Sequence, residues 1–584
     1  MHATGDRHSE RRIDPVTGAP YLAVFVRGAA VQDDRLLNKG TCFTLEEREQ
    51  LGLAGLLPPA IQTPDEQLAR AYENYLKAGD DVRKYVFLAA LQDRNESLFC
   101  RLVLDHLEEM VPIIYTPTVG RACEEYSHIY RRPRGLYVAA RHRGRLDEVL
   151  RNAVPEAPRV IVVTDNEAIL GIGDQGVGGM PIAIGKLALY TVGAGIHPAR
   201  TLPIDLDVGT NNPARLADPL YLGVRERRLR GDAYFGLLDE LVESLGRIYP
   251  RALVQWEDFA NANAFDVLAR YRRRVLSFND DIQGTGAVVV AGILSALERV
   301  GRRLEDERVL FYGAGASGAG SALAVRAAMR AAGVPAFDIG RQVIALDSKG
   351  LILRDRPGLA GAKHEIAADP ALAADWPRAA DGTFHLPEVV RGFRPTVLVG
   401  ASGQPGAFSQ SVIADMLTGC RRPIVLALSN PDSRTEVLPA ELIRWTNGAA
   451  IVGTGSPFAP VTHAGRTHVI GQGNNALIFP GVGLGATAVE ATWLPDEAFA
   501  AASRALVQVT AAGGAPEGPI YPPLHRLREV SRAVAGAVGR ALVAAGAAPP
   551  IAPDAIDRRV EAGIWEPGYL PYRAAEVDEP VAPM

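Results

Sequence analysis

Gly313-Ala314-Gly315-Ala316-Ser317-Gly318 narrows what this chain can fold into more than any other stretch. It sits between an apolar run, Arg308-Val309-Leu310-Phe311-Tyr312, and a run of small and apolar residues over 321–332. The first reads as a buried strand and the second as a helix. Glycines at this spacing allow a tight turn and let backbone N–H groups, with a helix N-terminus behind them, approach a pyrophosphate. The pattern predicts a Rossmann-like unit whose 313–318 turn cradles a dinucleotide. Asp347 ends the next strand, over 342–347, somewhat beyond the usual spacing of roughly twenty residues. A carboxylate there accepts hydrogen bonds from an adenosine ribose and favours NAD, whereas Ser348-Lys349 could bind a 2′-phosphate, so NADP stays open beside NAD.

At 584 residues the chain exceeds one ordinary core, and 47% hydrophobic with 22% charged residues reads as globular. Strand runs at 159–165, 202–210 and 252–256 alternate with helical stretches at 186–194 and 234–249, the mark of an open α/β sheet. A helix over 285–300 leads into the second series, whose strands recur at 396–400 and 423–428. From Thr44 to about residue 106 the pattern is helical, with Thr44 as N-cap and Glu47 at the capping-box position. The expected fold is therefore α/β: a helical N-terminal region, a substrate-side α/β domain and a Rossmann-like NAD(P)-binding domain. In residues, 1–34 form a tail or arm, 35–275 the substrate and metal domain, 276–545 the nucleotide domain and 546–584 a C-terminal extension whose last fifteen residues look loose.

A net charge of −5 gives no basic field for nucleic acid or an anionic membrane, and the basic runs Arg131-Arg132-Pro133-Arg134 and 270–274 read as solvated faces. The four cysteines form no C-x-x-C pair, which fits a reducing compartment. The apolar run over 21–26 is too short for a signal segment or a membrane span, so a cytoplasmic protein is expected.

The chemistry gathers in two acidic segments, Gln255-Trp256-Glu257-Asp258-Phe259 and Asn279-Asp280-Asp281-Ile282-Gln283-Gly284-Thr285-Gly286. Three oxygen ligands drawn from two such loops suit a hard divalent cation, Mg²⁺ or Mn²⁺, with positions left for an α-hydroxy acid. Adjacent carboxylates in a poorly solvated cleft repel one another unless a cation neutralises them. In an open α/β sheet ligands collect at the carboxyl ends of strands, where Asp165, Asp207 and Glu257-Asp258 fall. Lys186 follows a glycine-rich stretch and either faces solvent or points into the cleft as a general base. Tyr115, at a proline turn, is by its spacing a packed aromatic more readily than an acid.

Together these segments resemble the malic enzymes, from Leu37-Asn38-Lys39-Gly40-Thr41 to about residue 540. The matching pieces are Tyr115-Thr116-Pro117-Thr118-Val119-Gly120, Val163-Thr164-Asp165 with the glycine-rich stretch to Lys186, and Asp207-Val208-Gly209-Thr210-Asn211-Asn212. Glu257-Asp258-Phe259, the 278–285 segment, Leu428-Ser429-Asn430-Pro431 and Gly471-Gln472-Gly473-Asn474-Asn475 continue the match. The resemblance implies that Glu257, Asp258 and Asp281 bind Mn²⁺ or Mg²⁺. It makes Lys186 the base and Tyr115 the acid, with Asp280 assisting. Asn430, Asn474 and Asn475 would hold the substrate, and Asn261 with Gly313, Ala314, Gly315, Ala316, Ser317 and Gly318 would meet the cofactor, NAD or NADP.

The implied reaction is oxidative decarboxylation of L-malate. Lys186 takes the C2 hydroxyl proton as hydride passes to the nicotinamide, CO₂ leaves from the resulting oxaloacetate, and Tyr115 protonates C3 of the enol to give pyruvate. A homodimer or homotetramer is implied as well. One position departs: many malic enzymes carry a carboxylate-clamping arginine in the segment that here reads Asp165-Asn166-Glu167-Ala168-Ile169-Leu170. A small residue at 168, together with Gln404-Pro405-Gly406 and Tyr221-Leu222-Gly223, also resembles the malolactic enzymes, which retain NAD and release lactate. Tyr115-Thr116-Pro117-Thr118 is closer to the malic enzymes proper. A nucleotide sensor on the same scaffold would have no need of the carboxylates, Lys186 or Tyr115.

Overall fold

A computed structural model describes residues 8–153, 157–513 and 518–576. Valine- and isoleucine-rich runs that are buried on both faces form two parallel sheets, as covered parallel strands should. The first sheet runs in the order Leu136–Ala139, Thr201–Asp207, Val160–Thr164, Leu253–Glu257, Ser277–Asn279, all parallel. After Val160–Thr164 the chain adds a strand on one side and then, with Leu253–Glu257, on the other. That reversal opens a crevice at the carboxyl ends of these two strands.

The second sheet has seven strands in the order Gly350–Leu351, Val343–Asp347, Val309–Tyr312, Val397–Gly400, Ile424–Ala427, Ile451–Thr454, Gly471–Gln472. Only Gly350–Leu351 pairs antiparallel. Its reversal lies between Val309–Tyr312 and Val397–Gly400, whose carboxyl ends run into the 313–318 turn and into Ala401, against which Gly313 packs. The α/β class and the Rossmann-like sheet are thus as the sequence implies. Element starts differ: the helix read at 186–194 is Met180–Ala194, and the one read at 321–332 is Ala316–Ala331. Both begin inside glycine-rich turns, because packing supplies what glycine's low propensity withholds.

Met180–Ala194 joins the two halves. It packs on Val160–Thr164 and Thr201–Asp207 on one side and on Phe479–Ala488 on the other. With the preceding turn it is the one described helix long and apolar enough to cross a membrane, and 94% of that window is buried inside the protein.

Where they are described, residues 8–34 and 570–576 correct the reading of an N-terminal tail or arm and of loose last fifteen residues; residues 1–7 lie outside the described residues. Ser9–Ile13 pairs antiparallel with Pro20–Val24, and Tyr572–Ala574 adds a parallel third strand. Strands this short carry no legible period. Lys39 pins the assembly: its Nζ donates to Glu47 Oε1 at 2.6 Å and to the Leu570 carbonyl at 2.5 Å, and it stands 3.6 Å from the Tyr572 ring centroid. Residues 577–584 lie outside the described residues. Thr44 and Glu47 do form the capping box. In the basic run at 131–134, Arg134 is not a solvated residue but is half-buried and paired with Glu96 and Asp93.

Candidate active site

Two strand ends and one helix build the floor of the cleft. Glu257 is the last residue of Leu253–Glu257, and Asp258 turns the chain with φ at +55°. That conformation costs a non-glycine residue roughly 1–3 kcal/mol. It is held by the Asp258 N–H donating to Asp281 Oδ2 at 2.9 Å and by the Asp258 carbonyl accepting from Ala168 N at 3.0 Å. Asp281 lies in a single wide turn of π-helix, Asp280–Gly284, whose start is fixed by Asn279 Oδ1 accepting from Ile282 N at 2.9 Å. Gly284 has no room for a side chain, since a Cβ there would collide with Asp280 Oδ1.

Glu257, Asp258 and Asp281 each turn a carboxylate oxygen to a common point, within 4.8 Å of one another. Burial raises all three carboxyls above their ordinary range, and the neighbouring Asp280, Asp281 and Glu257 charges push them higher still against the pull of Lys186. A divalent cation relieves both penalties at once, and an all-oxygen set suits Mg²⁺ or Mn²⁺. The residues present therefore fit such an ion.

Lys186 points into the cleft rather than to solvent. Its Nζ is 2.5 Å from Asp280 Oδ2 and 2.9 Å from Glu257 Oε1, and the side chain is 1% exposed. Burial alone would depress the ammonium, but the Asp280 and Glu257 carboxylates outweigh it and hold Lys186 well above its ordinary value. The ammonium lies 5.2 Å from the Tyr115 ring centroid and 4.7 Å from that of Phe479. Burial lifts the Tyr115 phenol far above its ordinary range, so it stays protonated, against a smaller opposing pull from Lys186. Asn475 Nδ2 donates to the same Asp280 Oδ2 at 3.0 Å and to Thr285 Oγ1 at 2.9 Å.

The cleft is lined from both sheets and holds about 480 Å³. That lies within the ~300–1,000 Å³ of an ordinary small-molecule pocket. Tyr115, Lys186, Glu257, Asp258, Asp281, Asn261, Asn430, Asn474 and Asn475 all line it, together with Gly315, Ala316, Ser317 and Gly318. Asn261 Oδ1 accepts from Ala316 N at 2.5 Å and so ties the first half to the nucleotide turn. Gly313, with φ at +108°, and Ala314 shape that turn from below, and a Cβ on Gly313 would collide with the Ala401 carbonyl.

Three expected residues lie elsewhere. Asp165 is fully buried, accepts from the Tyr234 hydroxyl at 2.6 Å and does not reach the cleft. Asp207 accepts from Val224 N at 2.6 Å, bracing a loop. Asp347 spends its carboxylate on Arg356, at 2.9 and 2.6 Å, and on Lys363 at 2.7 Å. Other residues escaped the sequence reading. Gln255 donates to Glu257 Oε2 at 2.8 Å and accepts from the Tyr190 hydroxyl at 2.5 Å. Buried Glu436 accepts from Ser402 N and Oγ, both at 2.8 Å, and from Ser429 Oγ at 2.6 Å, knitting together the loops above the second sheet. Arg434, three residues past the Asn430-Pro431 pair, also lines the cleft. Proximity to that motif was the only available signal for these last two.

Fold and site together define a two-part α/β oxidoreductase that brings a buried lysine and a carboxylate cluster up to a dinucleotide turn. The family models "Malic enzyme, N-terminal domain" and "Malic enzyme, NAD binding domain" match residues 92–272 and 282–543. The chain belongs to the malic enzyme family. It is 47% identical over 546 residues to the NAD-dependent malic enzyme of Aliivibrio fischeri (strain MJ11), covering 94% of this chain and 97% of the relative. To the NAD-dependent malic enzyme 1 of Vibrio vulnificus (strain YJ016) it is 48% identical with the same coverage. Among solved structures, Entamoeba histolytica malic enzyme shares the fold with a TM-score of 0.55 at 22% identity, over 88% of this chain and 90% of that one.

Proposed function

We propose that this chain catalyses the NAD-dependent oxidative decarboxylation of L-malate to pyruvate and CO₂ with a divalent cation, and that it also decarboxylates oxaloacetate. The observation that carries the reading is Lys186, locked between Asp280 and Glu257 beside the Tyr115 ring, in a cleft that also opens to the 313–318 turn. Nearly full-length identity of 47–48% to NAD-dependent malic enzymes supports it.

Glu257, Asp258 and Asp281 would hold the cation, which supplies Lewis-acid polarisation of a substrate oxygen, while the nicotinamide accepts hydride. The chain's own residues position substrate and move protons. Lys186, an ammonium while both carboxylates face it, becomes a base at the C2 hydroxyl when ligand binding draws Glu257 away. Asp280 keeps it aimed. Tyr115, held neutral by burial, donates to C3 after CO₂ has left, and its position near Lys186 lets the two exchange the proton. Asn430, Asn474 and Asn475 orient the acid. Asn430 Oδ1 is occupied by Ser456 Oγ at 2.7 Å and Asn474 Oδ1 by Ala476 N at 2.9 Å, which leaves their amide N–H groups to face a carboxylate.

The test is a time course of malate with Mn²⁺ and NAD, following reduced nicotinamide and assaying pyruvate and lactate in the same samples. Reduced cofactor rising in step with pyruvate is expected, and a parallel run with NADP measures the preference. Lactate without net cofactor reduction overturns the reading in favour of a malolactic enzyme. NAD binding without turnover overturns it in favour of a sensor.

A further inference from the structure

A dicarboxylate entering this cleft meets a floor of carboxylates, so its own charges need a cation. Among the described residues lining the cleft, only Lys186 and Arg434 carry a positive charge. Lys186 is already committed to Asp280 and Glu257. Arg434 is different: among the described residues none gives its guanidinium a hydrogen bond or an ion pair, and only its backbone N–H is engaged, donating to the Pro431 carbonyl at 2.8 Å.

Its base is nonetheless fixed. Ser429 is anchored to buried Glu436, and Asn430 to Ser456. Gly171 sits so tightly under this segment that a Cβ there would lie 2.6 Å from the Asn430 carbonyl oxygen and 3.8 Å from Arg434 Cγ. Gly171 continues the turn through Ala168 and Leu170, whose N–H groups donate to the backbone and the side chain of Asp258. Arg434 therefore stands across one turn from the carboxylate cluster, and Ala168 on that turn brings no charge.

We propose that Arg434 is the residue that grips a substrate carboxylate in this cleft, specifically the C1 carboxylate that pyruvate retains. The inference rests on the malate-oxidising reading above. The choice of C1 follows from the chemistry: the C4 carboxylate leaves as neutral CO₂, and a cation fixed on it would stabilise the ground state more than the transition state. A guanidinium on a carboxylate is a charge-assisted, bidentate contact that a lysine reproduces only in part.

The experiment compares wild type, R434Q and R434K. It measures kcat, KM for L-malate, KM for NAD and the inhibition constant of pyruvate. In R434Q, KM for malate and the pyruvate constant rise together by about 10-fold or more, with kcat changed less and KM for NAD unchanged; R434K falls between. An unchanged KM for malate in R434Q overturns the inference, as does a rise for malate that pyruvate does not share. Should R434Q fail to fold, R434K decides: raised constants support the grip and unchanged ones overturn it. Wild type that does not turn over malate with NAD overturns the functional reading itself, a result distinct from wild-type turnover with an indifferent Arg434.

Discussion

At the scale of single residues, the site is a set of groups that could not stay charged together without help. Lys186 neutralises one side of it, and Glu257, Asp258 and Asp281 leave a surplus of negative charge on the other. Replacing Asp281 by Asn removes one repelling charge while keeping an oxygen for the Asp258 N–H. In chelator this variant should melt no lower than wild type. Mn²⁺ at a hundredfold its dissociation constant should stabilise wild type by about 2.7 kcal/mol and the variant far less. Equal Mn²⁺ shifts in thermal melting would remove Asp281 from the ligand set. Tyr115→Phe tests the other end of the chemistry. Overall turnover should fall about 10²–10⁴-fold, whereas reduction of oxaloacetate by NADH survives nearly intact. Equal loss of both partial reactions would deny Tyr115 its role as the acid at C3.

At the scale of elements, Val343–Asp347 ends on a carboxylate clamped by Arg356 and Lys363, so Asp347 works first as the fastener of the loop that follows its strand. These cations, with the Lys349 N–H, outweigh the effect of burial and hold Asp347 down at about 2, against an ordinary 3.8. A group whose folded pKa is depressed contributes stability that is fully present above its ordinary value and is lost as pH falls through the folded one. Urea midpoints of wild type and Asp347→Asn should therefore differ most above pH 3.8 and converge as pH drops toward 2. A gap that is constant with pH would mean the carboxylate's charge is not what fastens the loop.

At the scale of the whole molecule, the two ends of the chain close on each other through Lys39. Its ammonium is buried with Glu47 and beside the Tyr572 ring, and the Tyr572 N–H donates to the same Glu47 oxygen at 2.8 Å. Removing one partner of a buried pair leaves the other charge uncompensated, at a cost of about 3–5 kcal/mol. Lys39→Met should accordingly lower stability by that order and expose residues near 572 to limited proteolysis, while KM for malate stays put. Proteolytic resistance equal to wild type would show that the terminal strands hold without this pin.

The sequence alone determined what local pattern can encode. Apolar β-branched runs marked three strands of the five-stranded sheet and four of the seven-stranded one. The 313–318 glycines marked the nucleotide turn, and the two acidic segments marked the carboxylate cluster, since residues 257–258 and 280–281 stand next to each other in the chain. The motif resemblance singled out Tyr115 and Lys186, which spacing left undecided between packing and chemistry. Tertiary structure alone decided the long-range pairings. Arg228 with Asp174, 54 residues apart, and Glu47 with Tyr572, 525 apart, have no local signature. Only the folded sheet shows that Asp165 and Asp207 stay outside the lining of the crevice while Glu257 is part of it. Only the packed loops show that Asp347 is already bound to two cations and that, among the described residues, no acid pairs with Arg434. Periodicity reports which face of a segment is buried, but which buried group meets which depends on contacts between segments that the chain keeps far apart.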